Sequence, residues 1–247
     1  MKALIFAAGR GERMRPLTEH TPKPLLPVAG KPLIVWHLEK LAGIGVREVV
    51  INTSHLADQF PALLGSGRDW GLDLHYLHEG EQPLETGGGM LNALPWLGAA
   101  PFLVINGDVW TDFDFGLLPT EPDGLAELVM VGNPEHRPLG DFALDHGHRL
   151  RLDGPTRLTY AGIGMYRPHL LDDWQRTLGA EFTIDPARPA RPCFPLAPLL
   201  RAAIRDDRVA GRLHTGAWTD VGTPERLAAL TAEITADSRT SEAIRRP

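Results

Sequence analysis

The sequence predicts an α/β fold, a mostly parallel central sheet flanked by helices, in a single domain over residues 1–236. Three observations carry this. Apolar strand segments alternate with amphipathic segments through the first half, the β-α-β order of a parallel sheet covered by helices. The first strand, Leu4-Ile5-Phe6-Ala7-Ala8, runs straight into a glycine-rich turn, Gly9-Arg10-Gly11-Glu12-Arg13. The chain has 247 residues and a formal net charge of -6, long enough for one large domain and poorly suited to nucleic acid or an anionic membrane.

Taken in order, Leu33 to Leu41 spaces Leu33, Trp36, His37, Leu38 and Leu41 along one helix face. Val49 to Asn52 is a strand, His55 to Leu64 a helix, and Leu72 to Leu77 a strand. A helix follows from about Thr86 to Leu97, then the strand Phe102 to Ile105. In the second half Leu125 to Val131 is a strand. Asp141–Asp145 and Arg149–Asp153 flank His146-Gly147-His148 as a hairpin. Leu158 to Tyr166 is a further strand, and the proline-rich stretch Phe182 to Pro195 is an irregular loop. Leu196 to Ile204 is helical, Val209 to Trp218 extended, and Pro224 opens a last helix in its first turn. Residues 237–247 form a polar C-terminal tail expected to fray.

No apolar run approaches the roughly 20 residues that cross a bilayer, and the amino terminus lacks the pattern of a signal peptide. Cys193 is the sole cysteine, which leaves no internal disulfide and no cysteine metal cluster. These features lead to an expected cytoplasmic location.

A strand feeding a glycine turn lets backbone N–H groups approach an anion, because glycine has no Cβ in the way. Arg13 and, in Pro22-Lys23-Pro24, Lys23 add the positive charge that a polyphosphate needs. The turn fits neither the dinucleotide fingerprint, which needs glycine where Met14 stands, nor the P-loop, which ends in Gly-Lys-Ser/Thr. Ala7-Ala8-Gly9-x-Gly11-x-Arg13 followed by Pro22-Lys23-Pro24 instead resembles the signature of the sugar-1-phosphate nucleotidyltransferases. The resemblance extends to about residue 235. It implies a Rossmann-like nucleotidyltransferase fold with a small sugar-binding subregion, and a nucleoside triphosphate embraced by Ala8, Gly9, Gly11, Glu12, Arg13 and Lys23.

Asp108 stands just past the strand Phe102 to Ile105, where ligands of open α/β sheets bind, and Asp220 lies between a strand and a helix start. A carboxylate so placed either caps the next turn or holds Mg²⁺, a hard cation that combines one or two carboxylates with water and phosphates. The family resemblance implies that Asp108 and Asp220 jointly bind Mg²⁺. It places Asn106 at the nucleotide, Gly87 and Gly88 where a flat base meets the main chain, and Glu79 at the base edge. A carboxylate suits uracil N3–H and also guanine's N1–H and amino group, so residue chemistry leaves UTP and GTP both open.

Within the family, the segments Leu84–Gly89, Asn106–Asp112, Gly140-Asp141-Phe142 and Leu196–Leu200 give the finer match. They imply UTP and N-acetylmuramic acid 1-phosphate as substrates in bacterial cell-wall recycling, with Gly140 and Asp141 facing the sugar. The Glu-Glu-Lys-Pro segment whose lysine usually grips the sugar phosphate is missing, and Arg151 or Arg157 is a candidate substitute. Arg137, Arg151 and Arg157 are candidates to meet the lactyl carboxylate of the sugar. Two other readings stand beside this one: the same reaction on mannose 1-phosphate and GTP or on another hexose 1-phosphate, and a catalytically silent regulator that binds sugar nucleotides. Retention of Arg13, Lys23, Asp108 and Asp220 together disfavours silence.

Overall fold

The computed structural model describes residues 1–179 and 191–245. The chain opens with β1 (Lys2–Phe6), a small hairpin of β2 (Pro27–Val28) and β3 (Lys31–Pro32), and α1 (Leu33–Gly43). Then come β4 (Glu48–Thr53), α2 (Gln59–Leu64), β5 (Asp73–His78), α3 (Glu85–Leu97) and β6 (Phe102–Asn106). β1 pairs in parallel with β4 and β6, and β4 with β5, so the alternation read from the sequence is the parallel half of the sheet. Leu4 and Ile5 face opposite sides of it. Ile5 packs with Leu38 and Leu41 of α1 and Phe60 of α2; Leu4 packs with Met90, Ala93 and Leu97 of α3. A strand buried on both faces is continuously apolar for that reason.

The second half is mixed. It holds β7 (Val109–Thr111), β8 (Ala126–Val131), β9 (Phe142–Leu144), β10 (Leu150–Arg151), β11 (Arg157–Tyr166), α4 (Trp174–Leu178), α5 (Ala197–Arg205), β12 (Val209–Leu213), β13 (Trp218–Asp220) and α6 (Pro224–Arg245). The long strand β11 runs antiparallel to β6, β8 and β9, joining this half to the parallel one. Its register shifts between Tyr160 and Gly164, and Gly162 sits in the shift at φ +75° with the Asn106 side chain against it. A Cβ at Gly162 would stand 2.6 Å from Asn106 Nδ2, so that glycine is what lets Asn106 lie at the sheet's ligand-binding edge.

The predicted helix from His55 is shorter than expected. Leu56 adopts φ +53°, which ends helical geometry there, and the helix starts at Gln59. The expected hairpin around Gly147 is present, with β9 and β10 antiparallel. Of the proline-rich stretch, residues 180–190 lie outside the described residues, and Pro192–Leu196 is irregular. α6 continues to Arg245, so the helix carries on through most of the segment expected to fray. Leu230 and Ile234 of α6 bury against Met14, Leu26, Val28, Leu33 and Val221. That third apolar cluster fastens α6 to the loops after β1 and β13. No helix among the described residues is long and apolar enough to cross a membrane.

Candidate active site

A cavity of about 690 Å³ lies at the carboxyl ends of β1, β4 and β6, lined in part by Ala8, Gly9, Gly11, Glu12, Arg13, Lys23, Glu79, Asn106 and Asp108. Nine of the residues singled out in the sequence therefore share one wall system. The turn after β1 is shaped by its own hydrogen bonds. Gly11 has φ +63°, and its carbonyl accepts from Met14 N–H and from the buried Thr18 hydroxyl, each at 2.8 Å. A Cβ at Gly11 would press on the Thr18 methyl at 2.8 Å; both the backbone and the packing require glycine there. Gly9 is different. A Cβ on it would meet no atom within 4 Å, so the protein's own packing makes no demand for glycine at that point of the cavity wall.

Lys23 is 9 % exposed, and its ammonium lies 2.6 Å from Asp108 Oδ2. Asp220 is reached from the other direction. β13 pairs antiparallel with β7, Asp220 opposite Val109, and Val221 N–H donates to the Asp108 carbonyl at 2.7 Å. The two aspartates thus sit on neighbouring, hydrogen-bonded backbone segments. Asp220 Oδ1 is held by Arg226 Nη1 at 2.5 Å, with His136 Nε2 at 3.0 Å. Each carboxylate has one oxygen engaged by a cationic side chain, and the described residues offer no protein hydrogen bond to the other. No group of three or more metal-ligating side chains occurs among the described residues. Two hard oxygen donors completed by water and substrate phosphate are what Mg²⁺ prefers, whereas a structural zinc wants four nitrogen or sulfur ligands. The donor set fits.

Helix α1 steadies the Asp108 side. His37, 1 % exposed, has Nε2 2.8 Å from the Val109 carbonyl, and Lys40 donates to the carbonyls of Thr111 and Phe113 at 2.5 and 3.1 Å. Because a carbonyl only accepts, Nε2 of His37 carries the proton. Burial pushes its pKa down to about 4, against the upward pull of the Val109 bond, so the ring is neutral near pH 7. Burial also lowers the Lys40 pKa.

At the far end of the cavity, Glu79 is fully buried. Its Oε1 accepts from Asn52 Nδ2 at 2.7 Å and its Oε2 from Leu84 N–H at 2.8 Å, while Asn52 Oδ1 accepts from Ala7 N–H at 2.7 Å. This lock ties β1, β4 and the loop after β5 together. The resemblance implies Glu79 at the base edge; in the structure Glu79 lines the cavity, and its carboxylate also holds the wall together. Asn52 was read only as the end of a strand, although the rule that singled out Asp108, a polar residue at a strand's carboxyl end, applies to it equally.

Three groups of expected residues lie away from this cavity's lining. Gly87 and Gly88 do not line the cavity. Their N–H groups both donate to the Phe194 carbonyl, at 2.9 and 3.0 Å, and a Cβ on either would collide with residues 192–194. These glycines admit a neighbouring loop. Gly140, at φ +62°, packs on the Arg157 carbonyl, and the Asp141 carboxylate is taken by Tyr160 N–H at 2.9 Å and Arg137 at 3.3 Å. Both lie outside the cavity lining. Arg151 is paired with Asp145 and Asp207, at 2.7 and 2.6 Å, and Arg157 donates to the Asp141 carbonyl at 2.6 Å.

Comparison with known proteins agrees with this architecture. Residues 2–139 match the family described as Nucleotidyl transferase. The chain is 48 % identical to an N-acetylmuramate alpha-1-phosphate uridylyltransferase of Neisseria meningitidis serogroup B, over 92 % of this chain and 95 % of that one. It is 31 % identical to a protein of the same description from Caulobacter vibrioides, over 98 % and 97 % of the two chains. A mannose-1-phosphate guanylyltransferase of Mycobacterium tuberculosis is 32 % identical over 98 % of this chain and 67 % of its own length. Among solved structures, a Bacillus anthracis protein assigned as a glucose-1-phosphate thymidylyltransferase superposes with a TM-score of 0.76 at 22 % identity, covering 94 % of both chains; that match speaks for the fold. With its glycine turn, its lysine–aspartate pair and these relatives, the chain belongs to the nucleotidyl transferase family.

Proposed function

We propose that the chain transfers a uridylyl group from UTP to N-acetylmuramic acid 1-phosphate, with Mg²⁺ as its metal, giving UDP-N-acetylmuramic acid and pyrophosphate. The reading for chemistry is carried by one observation: Lys23 and Asp108 paired at 2.6 Å on the cavity wall, with the Asp220 strand hydrogen-bonded alongside. The reading for substrates is supported by the Neisseria meningitidis relative, 48 % identical over nearly the whole chain. Such a reaction belongs to cytoplasmic recycling of cell-wall sugars.

A phosphate oxygen of the sugar 1-phosphate forms a bond to the α-phosphorus of UTP. The bond from that phosphorus to the oxygen bridging the β-phosphate breaks, and pyrophosphate departs with the electron pair. The attacking oxygen is already anionic at neutral pH, so no general base is required. Rate then depends on alignment and charge neutralisation. Gly9 and Gly11 present backbone to the triphosphate without side-chain obstruction, and Glu12 lies beside them. Arg13 and Lys23 offset the charge that grows on the departing pyrophosphate, and Lys23, nine-tenths buried, does so where solvent screens least. When bound by Asp108 and Asp220, Mg²⁺ supplies charge neutralisation at the α-phosphate. Asn106, Glu79 and Asn52 shape the nucleotide wall.

Pyrophosphate release is to be measured with purified protein, Mg²⁺, UTP or GTP, and the 1-phosphates of N-acetylmuramic acid, N-acetylglucosamine and mannose. Highest kcat/KM for UTP with N-acetylmuramic acid 1-phosphate is expected. Best turnover with GTP and mannose 1-phosphate would move the chain to the activity of the Mycobacterium tuberculosis relative. Absence of turnover with every pair would make it a binder.

A further inference from the structure

The acceptor raises a charge problem that the nucleotide wall does not solve. A sugar 1-phosphate carries close to two negative charges at neutral pH and must approach a triphosphate; at about 4 Å two unit charges repel by roughly 4 kcal/mol even at an intermediate dielectric. Of the cations that line the wall, Arg13 is assigned above to the departing pyrophosphate, and the other two are engaged within the protein. Lys23 is paired with Asp108, and Arg10 donates to the Glu81 carbonyl at 3.0 Å. Arg151, considered from the sequence as a phosphate grip, is occupied by Asp145 and Asp207; Arg157 donates to the Asp141 carbonyl while its buried Nε meets no partner among the described residues, and neither arginine lines the cavity.

Arg226 is placed differently. It lies in the first turn of α6, only two residues beyond Pro224. Its Nη1 reaches Asp220 Oδ1 at 2.5 Å. Its Nη2 lies so close over Gly222 that a Cβ there would stand 2.1 Å away. Gly222 itself lines the cavity, so the guanidinium rests on bare backbone at the cavity's rim. His136 Nε2 is 2.6 Å from Nη1 of Arg226 and 3.0 Å from Asp220 Oδ1. The Arg226 side chain is 21 % exposed; solvent already reaches it.

We infer that Arg226 binds the phosphate of the incoming sugar 1-phosphate. It pairs with Asp220 until that carboxylate turns to the metal, and its fork of N–H donors then meets the phosphate oxygens. The exchange is balanced in charge: Asp220 trades a guanidinium for a dication, and the guanidinium trades a carboxylate for a phosphate. A planar fork suits two phosphate oxygens at once, which an ammonium does not. Gly222 is the position that keeps room for this side chain. The inference rests on the transferase reading above.

The test varies N-acetylmuramic acid 1-phosphate at saturating UTP, and UTP at saturating sugar phosphate, for wild type, Arg226→Lys, Arg226→Met and Gly222→Ala. Sugar-phosphate affinity is also measured directly, by calorimetry with a non-hydrolysable UTP analogue present. Arg226→Met is expected to raise the sugar-phosphate KM and Kd by about 10- to 100-fold, the usual worth of a charged hydrogen bond, with the UTP KM within about twofold of wild type by the same reasoning. Arg226→Lys should recover part of the loss. Gly222→Ala, which displaces the guanidinium but keeps its charge, should move the same parameter less. An unchanged sugar-phosphate KM, together with a lower Mg²⁺ requirement, would show that Arg226 only competes for Asp220 and would overturn the inference. Equal rises in both KM values would overturn it too, in favour of a structural role. Wild type that binds the sugar phosphate without turnover would sink the transferase reading instead, and the calorimetric comparison would still decide for or against Arg226.

Discussion

Asp108 and Asp220 offer the same functional group on very different foundations. Asp108 follows β6, whose residues Phe102 to Ile105 are wholly buried; its carboxylate meets a lysine that is itself nearly buried, and α1 pins the backbone just beyond it. Asp220 ends a three-residue strand of intermediate exposure in a two-stranded ribbon, and its partners come from a helix start and the 133–140 loop. The Asp108 carboxylate, 40 % exposed, rests on a buried backbone and a buried lysine. The other is held by partners that solvent reaches, an arrangement suited to exchanging them. If the proposed reaction is right, a site that holds two anionic substrates gains from having one of each.

The sharpest way to break that comparison is to neutralise each carboxylate in turn. Asp108→Asn should lower kcat by about 10³-fold or more, the several kcal/mol that a misplaced metal costs, and added Mg²⁺ should not restore it. Asp220→Asn should lose less and recover in part as Mg²⁺ rises. Equal, Mg²⁺-insensitive losses would mean that the two foundations do not differ in function.

Lys23→Ala comes next, with an expected fall of about 10²–10³-fold in kcat and a smaller change in UTP KM, as for loss of one transition-state donor. If only the UTP KM rises, Lys23 contributes uniform binding and its burial next to Asp108 is structural.

The steadying role of α1 is open to a stability measurement. Folded His37 has a pKa of about 4 against an ordinary 6.5. Between those values the unfolded chain binds the proton that the folded chain refuses, so stability rises with pH across that window. Acidification from pH 6.5 towards 4 should therefore remove on the order of 3 kcal/mol through this one residue. Denaturant titrations of wild type and His37→Gln over that range should show a shallower slope for the variant; identical slopes would assign the acid sensitivity to other groups.

The smallest effect is expected at the nucleotide wall. Asn52→Ala strips Glu79 Oε1 and Ala7 N–H of a buried partner and should cost about 1–3 kcal/mol of stability, seen as a lower denaturation midpoint. A neutral result would mean that this wall is less fixed than the burial of Glu79 suggests.

The parallel half of the fold was legible because its signals are local. Strand runs and the helix face Leu33 to Leu41 each announce themselves within a dozen residues, as does, in the second half, the proline at the start of α6. The turn Gly9 to Arg13, Lys23 and Asp108 were legible for the same reason, Asn106 through the family resemblance, and they converge on one cavity. What failed to show was anything fixed by distant contacts. Nothing near Gly87 and Gly88 announces that residues 192–194, more than a hundred positions later, press on them. Gly140 and Asp141 are absorbed by β11 in the same way. Arg226 reads as an ordinary charged residue in a helix, and only the antiparallel pairing of β13 with β7 brings its partner Asp220 beside Asp108.

The open space over Gly9 has a consequence for the history of the chain. A small side chain at that position would disturb no neighbour, and its backbone lies outside the left-handed region that only glycine enters cheaply. Folding alone therefore exerts no pressure to keep it bare. In a descendant released from its substrate, this residue would be free to drift while Gly11, strained and packed, would stay. The bare backbone at Gly9 is thus a feature that the fold itself does not require.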